Sequence, residues 1–335
     1  MGIRRELPPE LGGVFAVGRA RDAGVGRGRL RGSDLTSTFH GARSVRVERP
    51  DPDDVPDVAK ERARVLAQVR ELAAVLADHA FFAGITAAMV HGIPLPPFHH
   101  SVRRAGGGGP PELTPLVVGV HKPRSPVRRA RVRGIHLDPA LAPVVEVDGI
   151  RVTDLASTWA MLGVELGERD LVAAADHLLR IPRHPGGFRP PERGPHVTRE
   201  QLADAIGRRR GAERLRRALA RARTGSSSPR ESRLRLILVD GGLPEPVLDY
   251  DVSAPYGAFV ACLDLAYPEW KVGYEYDGSG HRTQAQFERD VAKGEWLADL
   301  GWDVLHFTAR DLRGPEREVV RRARAALIRQ GVAKV

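Results

Sequence analysis

The sequence predicts an α/β protein, α+β in its overall order. Three observations carry the expectation. A long amphipathic stripe occupies DVAKERARVLAQVRELAAVLADHAFF, residues 57–82. Short apolar runs of strand length recur, such as LVVGVH (116–121) and WDVLHF (302–307). After residue 226 helical and strand patterns alternate, as in a sheet flanked by helices.

In chain order, FAVGRARDAGVGRGRLR (15–31) reads as a short helix, a turn at Gly24 and a second basic helix. TFHGARSVRVERP (38–50) adds a strand pair, so residues 1–50 are expected to form a small winged helix-turn-helix. In that geometry Arg27, Arg29 and Arg31 face phosphates and base edges. Residues 51–225 form a basic α/β middle region. Its long helix carries Val58, Val65, Leu66, Val69, Leu72, Val75 and Leu76 along one face. FAGITAAMVHGIPLP gives a helix ending at Gly92, with His91 a capping or packing residue. A Gly/Pro loop (105–115) leads to strands, and VTDLASTWAMLGVEL and LVAAADHLLR read as helices. RIPRHPGGFRPPERGPHV (180–197) is the clearest flexible loop. TREQLADAIGRRRGAERLRRALARART then opens with a capping box, Thr198 to Gln201. Its arginines, Arg208, Arg210 and Arg217 among them, are either one solvated face or a phosphate-contacting helix. TGSSSP marks a boundary, and residues 226–335 run helix, strand, strand, strand, helix, strand, helix.

Composition narrows the function classes. Hydrophobic content of 42% supports packed cores, and no apolar run reaches the roughly 18 residues that a membrane span requires. The first residues show no secretory h-region. The lone Cys262 excludes an internal disulfide and a multi-cysteine zinc site, suits a reducing cytoplasm, and reads as a buried structural thiol. The net charge is +10; residues 226–335 hold 15 Lys and Arg against 17 Asp and Glu, so the excess lies in the first two thirds. Such an excess attracts polyanions, nucleic acid first.

The hairpin DLAYPEWKVGYEYDGSGH (264–281) concentrates the chemistry. With Glu269 and Trp270 as the turn, Asp264 faces Glu275, and Glu275 shares a strand face with Asp277. Carboxylates so placed repel unless a cation lies between them, and oxygen donors suit Mg²⁺ or Mn²⁺. His281 is a candidate general base, leaving-group acid or outer ligand, or a surface histidine. Glu231 either reaches the same cation or serves its helix N-terminus. Asp290 and Lys293, one helical turn apart, are phosphate contacts or a simple ion pair.

These segments resemble a known family. SPRESRLRLIL, LDLAYPEWKVGYEYDGSGHR and FERDVAKGEWLADLGWDVLHFT are similar to the domain of unknown function 559, of the very-short-patch-repair endonuclease group in the PD-(D/E)XK superfamily. The resemblance covers about residues 226–315. It implies a restriction-endonuclease-like mixed sheet. It also implies a metal site of Asp264, Glu275 and Glu231, and catalytic roles for those residues with Asp277 and His281. Asp277 stands where the superfamily lysine usually does, with Lys271 or Lys293 as substitutes. RDAGVGRGRLRGSDL, ITAAMVHGIPLP and GIRVTDLASTWAML resemble the N-terminal part of type IV abortive-infection antitoxins, which implies a DNA-binding winged helix.

The resulting expectation is a Mg²⁺- or Mn²⁺-dependent DNA endonuclease, targeted by its basic N-terminal region. Its alternative is a DNA-binding regulator or antitoxin-like protein with an inactive nuclease fold. DNA is the expected partner and a membrane is not; a homodimer and a partner toxin are left open.

Overall fold

A computed structural model describes residues 6–46, 57–96, 101–102, 112–278 and 284–333. The chain is of the α/β class and divides into two compact units, residues 1–162 and 163–335.

The first unit opens with strand β1 (Val14–Ala16), helix α1 (Val17–Asp22) and strands β2 (Leu35–Thr36) and β3 (Ala42–Val45), joined as an antiparallel sheet in the order β1-β3-β2. The second basic helix expected before residue 31 is a single 3-10 turn, Arg29–Arg31. Gly24, Gly26 and Gly28 explain the loss, since each glycine costs a helix interior about 1 kcal/mol. The turn buries Leu30 with Leu11, Phe15, Ala20, Val25 and Leu35.

Helix α2 (Asp57–Ala73), strand β4 (Ala80–Phe82) and helix α3 (Gly84–His91) follow. Val65, Val69 and Leu72 of the expected α2 stripe are buried. So is the carboxylate of Glu71, which accepts the backbone amides of Thr38 and Phe39, the latter at 3.1 Å. A two-stranded ribbon, β5 (Ser101–Val102) with β6 (Glu112–Leu113), precedes β7 (Leu116–His121), β8 (Val132–Leu137), β9 (Val144–Val147) and β10 (Ile150–Thr153). The main sheet runs β8-β7-β4-β10-β9. Gly92, at φ 78°, ends α3, and His91 Nε2 meets the Thr153 carbonyl at 2.7 Å. Burial lowers the His91 pKa against that bond, so it is a packed histidine. Asp154 caps α4 (Leu155–Met161) by accepting the Ser157 amide.

The second unit begins before the expected boundary at residue 225. It stacks α5 (Glu168–Leu179), α6 (Arg199–Ile206), α7 (Ala212–Arg221) and α8 (Pro229–Asp240) ahead of its sheet. Arg235 explains why these helices belong with the sheet domain. It is 1% exposed and bonded to Asp176 of α5, to Glu245 and to the Arg221 carbonyl. The charge asymmetry weakens with the new boundary. Residues 163–335 hold 29 Lys and Arg against 25 Asp and Glu, a balance of +4, and residues 1–162 hold 23 against 17, a balance of +6.

The expected Arg-rich helix is two helices, broken where Gly211 adopts φ 86°. The capping box forms as expected. Several of the arginines are fasteners. Arg217 and Arg221 hold Glu168, Arg221 also holds Asp240, and Arg214 donates to the carbonyls of Gly163 and Leu166.

The sheet follows in the order β11-β12-β13-β14, from β11 (Val247–Ser253), β12 (Phe259–Tyr267), β13 (Val272–Asp277) and β14 (Asp303–Thr308). The first three are antiparallel, while α9 (Gln284–Asp299) crosses over to make β14 parallel to β13. Helices α10 (Ala309–Arg313) and α11 (Glu316–Arg329) close the unit. Leu234, Ile237, Tyr267, Tyr274, Phe307, Val319 and Leu327 pack one core between α8, α11 and the sheet. Leu297 of α9 packs with Ala261, Leu263 and Ala266 in another.

Candidate active site

The site grows from the β12–β13 hairpin. Its connection is wider than expected, a 3-10 turn at Pro268–Trp270 followed by Lys271 at φ 51°. The register is nevertheless the expected one. Tyr267 pairs with Val272 and Leu265 with Tyr274, so Asp264 comes opposite Glu275. Asp264 Oδ2 accepts the Tyr276 amide at 2.8 Å.

Parallel pairing then sets His306 of β14 beside Glu275. Its Nδ1 lies 3.3 Å from Asp277 Oδ2 and 3.9 Å from Glu275 Oε2, so Glu275 and Asp277 do share a face. From α9, Lys293 Nζ bonds to Glu275 Oε1 and reaches the Cys262 carbonyl at 3.2 Å. Lys293 is therefore tied to the hairpin and is not a simple partner of Asp290 alone. Lys271 serves the end of the hairpin, donating to the Leu300 carbonyl. A cleft of about 570 Å³ opens over this face, lined by Glu275, Asp277, Asp290, Lys293, Trp302 and His306.

Glu231 enters from α8, whose first turn Ser228 caps and Pro229 starts. The buried Glu231 carboxylate accepts the Ser227 amide at 2.6 Å, so it does serve the helix N-terminus. Burial raises its pKa, opposed by bonds from Ser227 and Ser228 and by the charge of Arg180. Its own charge acts on Asp264. Burial first, then Glu231, with a further push from Glu275, raises the Asp264 carboxyl to about 7, against the Tyr276 amide and Lys293.

The donor chemistry suits a hard divalent cation, because Asp264 carries a charge that its neighbours disfavour. Among the described residues no three His, Cys, Asp or Glu side chains are gathered in ligating geometry, and Lys293 holds an oxygen of Glu275. Asp264, Glu275 and Glu231 thus supply suitable donors whose oxygens do not converge on one point.

Over 151 residues the chain is 30% identical to two curated proteins of Mycobacterium tuberculosis, uncharacterized protein MT2308 of strain CDC 1551 and uncharacterized protein Rv2248 of strain H37Rv. The match takes in 44% of this chain and 55% of each relative. The chain therefore spans about half the length of the curated relatives it matches. No family model matches the sequence, and no solved structure matches it.

The remaining expected residues scatter. His281 lies outside the described residues. Arg27 and Arg31 are exposed in the first unit, while Arg29 is held by both oxygens of Asp34 at 3.0 and 2.7 Å. Arg208 and Arg210 are exposed between α6 and α7, and Arg217 is paired with Glu168. Sequence reasoning missed His306, the Cys262 carbonyl and Arg180. Only His306 left a trace, as a polar residue inside an otherwise apolar strand. Its pairing with Glu275 depends on a crossover register that neither segment encodes locally.

Proposed function

We propose that residues 163–335 form a divalent-cation-dependent phosphodiester hydrolase that acts on DNA. The observation that carries the reading is Asp264. A carboxyl pushed up to about 7 by burial and two neighbouring carboxylates is one whose ionised form a bound cation would stabilise. The strand order adds support. Helix, antiparallel three-stranded meander, crossover helix and parallel strand make a mixed sheet, the kind that the nuclease resemblance implies.

Asp264, Glu275 and Glu231 would hold Mg²⁺ or Mn²⁺. Such a cation neutralises charge on a phosphodiester and acidifies water. Lys293 keeps a positive charge at Glu275, anchored by the Cys262 carbonyl, and so takes the part of the lysine absent at position 277. With the carboxylates holding such a cation, Lys293 would be available to steady the attacking water. Asp277 orients His306 through Nδ1, and the other ring nitrogen carries a proton to the leaving oxygen.

Among the described residues no helix is long and apolar enough to cross a membrane. The reading assigns a cytoplasmic location, in keeping with Cys262 as a free thiol.

The test incubates the full chain, Glu275→Ala and Lys293→Met with plasmid DNA in Mg²⁺, Mn²⁺ or EDTA. Cleavage that requires metal and falls in both variants supports the hydrolase. Cleavage equal in wild type and Glu275→Ala refutes it. DNA binding without cleavage in any metal replaces it with the regulator reading.

A further inference from the structure

The loop RIPRHPGGFRPPERGPHV is not loose where it crosses the sheet. Arg183 grips β11 through the carboxylates of Asp249 and Asp251. Its Nε meets Asp249 Oδ2 at 2.6 Å, Nη1 meets Asp251 Oδ2 at 2.6 Å, and Nη2 meets Asp251 Oδ1 at 3.0 Å and Cys262 Sγ at 3.3 Å. The Gly186 amide adds a bond to Asp251 Oδ2 at 3.0 Å. Bidentate guanidinium pairs of this kind are the strong, directional ones. The segment from residue 183 to 186 is therefore pinned.

What the pin presents is Phe188. Gly186 turns the chain at φ 79°, and a Cβ there would stand 2.2 Å from Phe188 Cε2. The ring thus lies over Gly186, where a side chain would need a left-handed backbone and would displace the ring. On its other side it meets Phe259 edge-on, with ring centroids 5.9 Å apart and planes at 89°. Held on two sides, Phe188 is still 75% exposed. Tyr256, 85% exposed, lies in the β11–β12 turn three residues before Phe259. A scattered exposed aromatic is ordinary. A glycine-dependent seat and an arginine clamp that leave a ring face open are a built arrangement.

Charge identifies the occupant. Of the four arginines in residues 180–193, Arg183 is spent on Asp249 and Asp251, while Arg189 and Arg193 are exposed, Arg189 directly after Phe188. The charge of Arg180, at the start of the loop, acts on Glu231. An open aromatic face among exposed arginines matches a nucleobase flanked by phosphates. Bases in a duplex have both faces covered by their neighbours, so only an unpaired base offers its face.

We propose that Phe188 is a preorganised stacking platform for an unpaired base, which makes single-stranded or locally opened nucleic acid the substrate class of this unit. The proposal rests on the hydrolase reading for its relevance to cleavage, and its test does not. Binding is measured on the full chain in EDTA, by anisotropy of a labelled oligothymidylate and of the same strand in duplex with oligoadenylate. Phe188→Ala should weaken single-strand affinity roughly 5- to 150-fold, the range of one stacked base, and leave duplex affinity unchanged. Phe188→Trp should restore the affinity, and its added indole emission should be quenched on binding. Because EDTA removes the divalent cation that cleavage would need, the binding result does not depend on the hydrolase reading. The proposal falls if the wild type does not bind the single strand, or if Phe188→Ala binds it unchanged. It also falls if Phe188→Ala weakens both probes equally, or alters only the oligomeric state, which would assign the face to a second copy.

Discussion

Replacing Asp264 by Asn removes a charge that the fold resists and keeps an oxygen for the Tyr276 amide. The carboxyl is raised from 3.8 to about 7. At about 1.36 kcal/mol per pKa unit, that shift amounts to roughly 4 kcal/mol. Its sign follows from proton linkage. Between these two values the native state retains a proton that the unfolded state has lost, so stability falls as pH rises through the window. Below about pH 4 both states are protonated and the penalty vanishes; above about pH 7 it is complete. Asp264→Asn should therefore match wild type near pH 4 and exceed it by roughly 4 kcal/mol at pH 8 in EDTA. Urea unfolding of both proteins at several pH values measures the difference. Addition of Mg²⁺ at pH 8 should stabilise wild type and narrow the gap. A gap that stays constant with pH, or wild type gaining on the variant as pH rises, would refute the reasoning.

Two further outcomes concern the helical layer. Asp176 and Arg235 are each 1% exposed, so Asp176→Ala leaves a buried guanidinium with only Glu245 and a carbonyl, and should cost about 3–5 kcal/mol in urea unfolding. Asp176→Leu with Arg235→Met should recover much of that loss. Gly211→Ala meets both a left-handed backbone at φ 86° and the Gly163 carbonyl 2.6 Å from the new Cβ. It should cost more than the roughly 1–2 kcal/mol of the backbone alone, whereas Gly187→Ala, at φ 66° with open space around it, should cost only that much. Equal losses at the two glycines would show that the carbonyl yields.

Legibility followed the range of the physics. The Asp264–Glu275 pairing was readable because a hairpin's register depends on a few adjoining residues, and alternation alone put Asp277 on the Glu275 face. The Thr198 cap and the element order after residue 226 were readable for the same local reasons. His306 was not, because α9 separates it from Glu275 and parallel register is set by how that helix packs. The second basic helix does not form because three glycines outweigh its charge pattern. The pairing of Arg217 and Arg221 was not readable because their partner, Glu168, stands about fifty residues earlier, where no spacing rule reaches.

Those arginines also change what a salt titration measures. Arg217–Glu168, Arg221–Glu168, Arg221–Asp240 and Arg169–Asp240 cross between helices at the surface, where added ions weaken them. Part of the basic character counted along the second unit is mortar between its own helices. Raising ionic strength will therefore soften the scaffold while it displaces a polyanion, and an affinity-versus-salt slope will count phosphates correctly only once unfolding at each salt concentration has been subtracted.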